Sequence, residues 1–135
     1  MSDAVSMDRI HAHGKRETSG KLPRLVRMTT SRREKIEAML ADEPNDLFLR
    51  YSLALELDKE GNHDQSLGRL RELTAESPPY VPAFFMAGQQ LVRLTRVEEA
   101  RAMLREGIEQ ARAQGDSHAA AEMGELLASL GRVGE

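Results

Sequence analysis

Residues 45–78, NDLFLRYSLALELDKEGNHDQSLGRLRELTAESP, are followed directly by a second version of themselves in residues 79–112, PYVPAFFMAGQQLVRLTRVEEARAMLREGIEQAR. At a shift of 34 residues, Tyr51 falls on Phe85, Leu53 on Ala87, Ala54 on Gly88 and Leu57 on Leu91. Farther along, Ser66 falls on Ala100, Leu70 on Leu104 and Glu72 on Glu106. Each copy holds two segments with helical apolar spacing, parted by Gly61 in the first and by Thr95-Arg96 in the second. A helical pair of this size cannot bury its apolar stripe alone, so successive copies must stack and cover one another. The expectation is an all-α chain in which every helix runs antiparallel to the one before it.

The spacing resembles the tetratricopeptide repeat, whose pattern is W-x2-L-G-x2-Y…A-x3-F…P. The first copy fills these slots with Arg50, Leu53, Ala54, Leu57, Ser66, Leu70 and Pro78, and the second with Phe84, Ala87, Gly88, Leu91, Ala100, Leu104 and Arg112. The aromatic slots are degenerate, and it is the agreement of two copies in register that carries the resemblance. It extends over Ser31–Gly131 and implies a right-handed α-α superhelix, a helical-hairpin solenoid of about six antiparallel helices.

Working outward, Ser31-Arg32-Arg33-Glu34 is a capping box, in which hydroxyl and carboxylate each satisfy a free N–H at a helix start. Ile36, Met39 and Leu40 follow on one predicted face. Ile36 and Pro44 precede Leu70 and Pro78 by the repeat length, so this first helix reads as the second half of a repeat, a lid on the stack. On the other side the register slips: Gly124 follows Gly88, and Gly131 follows Thr95, by 36 residues. The two extra residues fall near Arg112–Asp116, and Ala120, Met123, Gly124 and Leu127 then form a last packing stripe, with a turn expected at Gly131. The predicted organisation is a tail (1–30), a half repeat (31–44), two repeats (45–78 and 79–114), a half repeat (115–131) and a short end (132–135). Thr95 stands where the first copy has Gly61, so either its backbone is strained or the turn changes shape. Gly107 is read as a point of close helix approach, whereas Gly68 has no evident reason to be in a helix.

Composition narrows the function. The chain of 135 residues has no Cys and no Trp, which excludes disulfides, thiolate metal sites and a cysteine nucleophile. No apolar run approaches the ~18 residues of a membrane span, and no signal-peptide core follows Met1, so a cytoplasmic protein is expected. Residues 1–30 carry six Lys and Arg against three acids, while the rest of the chain is acidic. They show no sustained helical or strand period and read as a disordered, solvated tail. His11 and His13 lie there without further ligands nearby, so no metal site is assigned. An acidic body with few rings offers neither phosphate contacts nor a stacking platform, so no nucleic acid partner is expected. His63 and His118 fall in separate turns with no nucleophile placed beside either, and Glu98-Glu99 suits a helix start. Neither catalytic residues nor a cofactor are assigned.

In arrays of this kind the first helix of each repeat lines the inner surface. The residues beside the packing stripe are then Phe48, Tyr51 and Leu55, followed by Phe85, Met86, Gln89 and Arg93, and lastly Glu122 with His118, Ala121 and Glu125. Tyr51 and Phe85 share one slot and are expected to form a ladder of rings. The family's carboxylate clamp for acidic chaperone tails resembles a set of Lys, Asn and Arg in the slots held here by Tyr51, Leu55, Met86, His118 and Glu122, and none matches. The resemblance thus implies a non-enzymatic adaptor for a protein or peptide, apolar and not acidic. The alternative is a homodimer joined through the terminal helices, with Leu126 and Leu130 on an exposed stripe.

Overall fold

The computed structural model describes residues 31–134, which form six α-helices and no strand. They are α1 (Arg32–Asp42), α2 (Leu47–Lys59), α3 (His63–Thr74), α4 (Val81–Arg93), α5 (Val97–Ala113) and α6 (Ser117–Gly134). Each packs on its neighbours in sequence, and α4 also touches α6. This is a helical-repeat solenoid, with α2, α4 and α6 in one layer and α1, α3 and α5 in the other. Ion pairs mark the layers: Arg93 of α4 reaches Asp58 of α2, and Arg71 of α3 reaches Glu99 of α5.

The helix starts follow local chemistry. Ser31 Oγ accepts from Glu34 N–H while Ser31 N–H donates to Glu34 Oε1, both at 3.1 Å, completing the capping box. Asp46 caps α2 by accepting from Leu49 N–H at 2.8 Å. Three helix ends share one geometry. Asn62, Arg96 and Asp116 N–H each donate at 2.8 Å to Leu57, Leu91 and Ala111 C=O, five residues back. That closure needs a left-handed residue, supplied by Gly61 (φ 88°), Thr95 (φ 60°) and Gly115 (φ 79°). The turn at Thr95 therefore keeps its shape, and a β-branched residue bears the strain.

The principal core runs from α2 to α6, with Phe84, Leu70, Leu73, Leu91, Leu104 and Met123 fully buried. A second, smaller cluster of Ile36, Leu53 and Leu57, with Leu40 against it, seats α1 on α2. Arg32 Nε to Glu56 and Arg33 Nε to Glu60, each at 2.8 Å, edge that contact. Arg50, in a slot where the repeat has a ring, is kept out of the core by its pairing with Glu76 at 2.9 Å.

Three expectations are corrected. Met39 is 48% exposed, so α1 buries Ile36 and only partly buries Leu40, one turn on, because a single neighbour covers a narrower stripe. α6 continues as helix through Gly131 instead of turning there. Leu130 is 7% exposed and belongs to the main core, and Arg101 Nη2 donates to its carbonyl at 3.0 Å, so it forms no exposed stripe with Leu126. The two extra residues of the 36-residue register arise because α5, at 17 residues, is five longer than the 12 of α3, while the connector that follows it (114–116) is three shorter than the one after α3 (75–80). His11 and His13 and the rest of the tail lie outside the described residues.

Candidate functional site

The face of the α2–α4–α6 layer is bounded by a link at each edge. At the amino-terminal ends of α2 and α4, the Tyr51 and Tyr80 rings meet edge-on, with centroids 5.6 Å apart and planes at 61°. Such a pair contributes ~0.5–1.5 kcal/mol beyond its buried area. Tyr80 sits at the N-cap of α4 in extended backbone, with its N–H on Leu73 C=O at 3.0 Å, which lays the ring beside α2. Burial pushes both phenols above the usual tyrosine range; Tyr80 adds to the effect on Tyr51, and the Asp46 carboxylate adds to that on Tyr80. The expected ladder is thus replaced: the ring against Tyr51 is Tyr80 and not Phe85, a full repeat away.

At the carboxy-terminal ends, Asp58 receives two partners. His63 Nδ1 lies 2.7 Å from Oδ1, and Arg93 Nη2 donates to Oδ2 at 2.7 Å. The Asp58 side chain is only 16% exposed, so this carboxylate fastens the start of α3 and the end of α4 to α2. Arg93, expected to face a ligand, gives one guanidinium nitrogen to that link and keeps its side chain 54% exposed.

Between the two links lie Leu55 on α2 and Phe85, Met86 and Gln89 on α4, all half-buried. Phe85 and Met86 rest on the main core with one side and meet solvent with the other. On α6, Glu122 and Glu125 are exposed, and Glu122 Oε2 lies 3.2 Å from His118 Nε2. Phe48 stands apart, 65% exposed in a depression with Met39, Asp42, Glu43, Asp46 and Leu49. Of the residues assigned from sequence, Tyr51, Leu55, Phe85, Met86 and Gln89 lie on α2 and α4 between the two links, Glu122 is on α6, Phe48 is exposed near the turn from α1 to α2, and Arg93 pairs with Asp58.

Sequence reasoning missed Tyr80, Asp58 and His63. Tyr80 follows Pro78-Pro79 and reads as a connector, and nothing local says that its ring turns back to α2. Asp58 and His63 flank the Gly61 turn, where a carboxylate and an imidazole read as ordinary surface groups.

With this geometry in place, likeness to solved structures decides the family. A tetratricopeptide repeat domain protein from Salinibacter ruber, solved by NMR in solution, is 32% identical, with 64% of this chain and 88% of that one covered and a TM-score of 0.61. The chain belongs to the tetratricopeptide repeat family. A crystal structure of a Salinibacter ruber tetratricopeptide repeat domain protein agrees, at 31% identity, 64% and 96% coverage and a TM-score of 0.58. A protein from Bordetella parapertussis is 27% identical, covered over 76% of this chain and 90% of that one, with a TM-score of 0.66. No family profile and no curated protein matches the chain. The tetratricopeptide fold is in general a protein-interaction adaptor fold, and no helix among the described residues is long and apolar enough to cross a membrane.

Proposed function

We propose that the chain is a non-enzymatic adaptor that holds an apolar peptide or helical segment on the α2–α4 face, with Tyr51, Leu55, Phe85, Met86 and Gln89 as its contacts. One observation carries the reading: Phe85 and Met86 are each fixed on the core yet left half-open to solvent. A side chain held in one position by packing loses little entropy when a partner covers it, which is what a binding anchor requires. Acidic Glu122 and Glu125 along α6 favour a segment with cations beside its apolar part and disfavour an acidic tail. Gln89 offers both a donor and an acceptor to the partner's backbone.

The test uses the full chain as bait in an extract of its own cell, followed by affinity measurement on whatever protein is retained. Phe85→Ala and Met86→Glu are compared with Glu109→Lys on the exposed face of α5. Loss of an anchor is expected to cost ~2 kcal/mol or more, close to a thirtyfold rise in Kd. Equal binding by all three variants, each with wild-type helicity, removes the α2–α4 face as the working surface.

A further inference from the structure

Phe48 and Met39 are the two exposed large apolar side chains among the described residues, and both lie in one depression at the amino-terminal edge of the array. Repeat register shows what covers that edge elsewhere in the chain. Met39 holds the slot of Leu73 and Gly107, 34 and 68 residues on, and both of those are buried. A Cβ at Gly107 would meet Phe84 Cβ at 2.5 Å on the helix before and Met123 Sδ at 2.6 Å on the helix after. No helix stands before α1 among the described residues, so Met39 is left open.

The carboxy-terminal edge has the opposite relief. In the slot of Phe84, 36 residues on, α6 has Ala120, and its open side carries Ala121, Gly124 and Ala128, none of them charged. Gly88 is pressed by Leu104 of the helix that follows, whereas around Gly124, in the same slot, nothing lies within 4 Å. One edge thus presents two large apolar side chains and the other a strip of small ones with room above it.

The charges at the two edges match as well. Inside the array Arg71 of α3 reaches Glu99 of α5, and Arg93 of α4 reaches Asp58 of α2. One repeat on, the slot of Arg71 holds Arg105, and the slot of Glu99 in α1 is Ser31, with Glu34 one turn along. Two turns farther, Arg112 comes opposite Ala38, with Asp42 one turn along. In the other layer Ala128 holds the slot of Asp58, next to Glu125, and Lys59 holds the slot of Arg93. Arg105, Arg112, Glu125 and Asp42 have no ion-pair partner among the described residues.

We propose that the protein associates head to tail, the α1–α2 edge of one copy seating on α6 of the next, so that α6 and the second copy's α1 pair as α4 and α5 do. Met39 then lies on Ala120. Ala121 holds the slot of Tyr51, whose ring meets the start of α4, so across the joint it meets the start of α2, where Phe48 stands. Arg105, Arg112 and Glu125 face Glu34, Asp42 and Lys59. Arg32, in the slot of the small Ser66 and Ala100, uses the open space over Gly124 while its guanidinium stays on Glu56. Such a contact joins two different surfaces and leaves one of each free, so it does not stop at two copies unless it closes into a ring. This inference does not rest on the α2–α4 face as a binding site.

Sedimentation of the full chain tests it without any other partner. The mass is expected to rise with concentration past that of a dimer. Met39→Glu/Phe48→Glu blocks one edge and Ala121→Glu/Ala128→Glu the other, all four at exposed positions. Each double variant alone should be monomeric, and the two mixed should form a 1:1 pair that grows no further, because one intact edge of each kind remains. A wild type still monomeric at ~1 mM overturns the proposal. So does either variant that associates by itself, which would mean a two-fold contact through a single edge. A mixture that forms no pair overturns it too.

Discussion

Adding one methyl group at each of three helical glycines should have three different outcomes, because the space around them differs. At Gly107 on α5, a Cβ would lie 2.5 Å from Phe84 Cβ and 2.6 Å from Met123 Sδ. Phe84 Cβ is bonded directly to the α4 backbone, so relief requires moving a helix and not a side-chain tip. Overpacking costs typically ~1–3 kcal/mol, and two such contacts place Gly107→Ala near ~3 kcal/mol. The gain in helix propensity returns ~1 kcal/mol, which leaves a net loss of ~2 kcal/mol. At Gly88 the nearest atoms are Leu104 Cδ2 at 2.6 Å and Cγ at 2.9 Å, the far part of one side chain. A rotamer shift can relieve that contact, so propensity and crowding nearly cancel. At Gly68 nothing lies within 4 Å, and Gly68→Ala should stabilise by ~1 kcal/mol. Urea denaturation with unchanged m values would read the order directly. A Gly107→Ala chain as stable as Gly68→Ala would refute the close approach of α4, α5 and α6, and with it the spacing that sets the binding face.

Two further outcomes follow from the polar groups. Gln90, 1% exposed, donates to Ser66 Oγ at 3.0 Å, and Ser66 Oγ donates to Ala54 C=O at 2.6 Å, while Gln90 Oε1 has no partner. Ser66→Ala should therefore cost ~1–3 kcal/mol by stranding the amide, and should cost much less in a Gln90→Leu background; equal costs in a double-mutant cycle would refute the coupling. Tyr51 and Tyr80 are the chain's two tyrosines, so phenolate absorbance reports on this pair alone. Both phenols are raised in the folded state, so their contribution to stability is complete below the ordinary value of ~10 and is lost as pH rises through the folded value. The folded chain should titrate late and the urea-unfolded chain at the ordinary value, and identical titrations would contradict the burial of the ring pair.

The fold was largely legible because its signals are local or periodic. Ser31 with Glu34, Asp46 before α2 and Gly61 after it act within one helical turn, and the 34-residue shift carries the stacking. The misreadings arise where the number of neighbours decides. Met39 fits a helical stripe with Ile36 and Leu40, yet α1 has one helix to lean on and cannot use so wide a face. Leu130 reads as exposed if α6 ends at Gly131. The helix continues, and its last turns lie along the first turns of α5, where Arg101 meets the Leu130 carbonyl.

The site was legible by position and not by pairing. Repeat register assigns Tyr51, Phe85 and Arg93 to the inner helices, but a register counts residues along one helix and says nothing of what a long side chain reaches. Arg93 crosses to Asp58 and Tyr80 returns to Tyr51 because α2 and α4 lie side by side, a fact that enters only once the helices are stacked. The glycines show the same limit. Gly88 and Gly124 hold one position of the repeat, shifted by the 36-residue register, and read identically. Around Gly88 the space for a methyl is filled by Leu104 from the following helix, whereas around Gly124 nothing lies within 4 Å. The glycine requirement thus belongs to the pair of helices and not to the position, and the repeat motif acquires its steric meaning only where a second helix of the repeat is present to press on it.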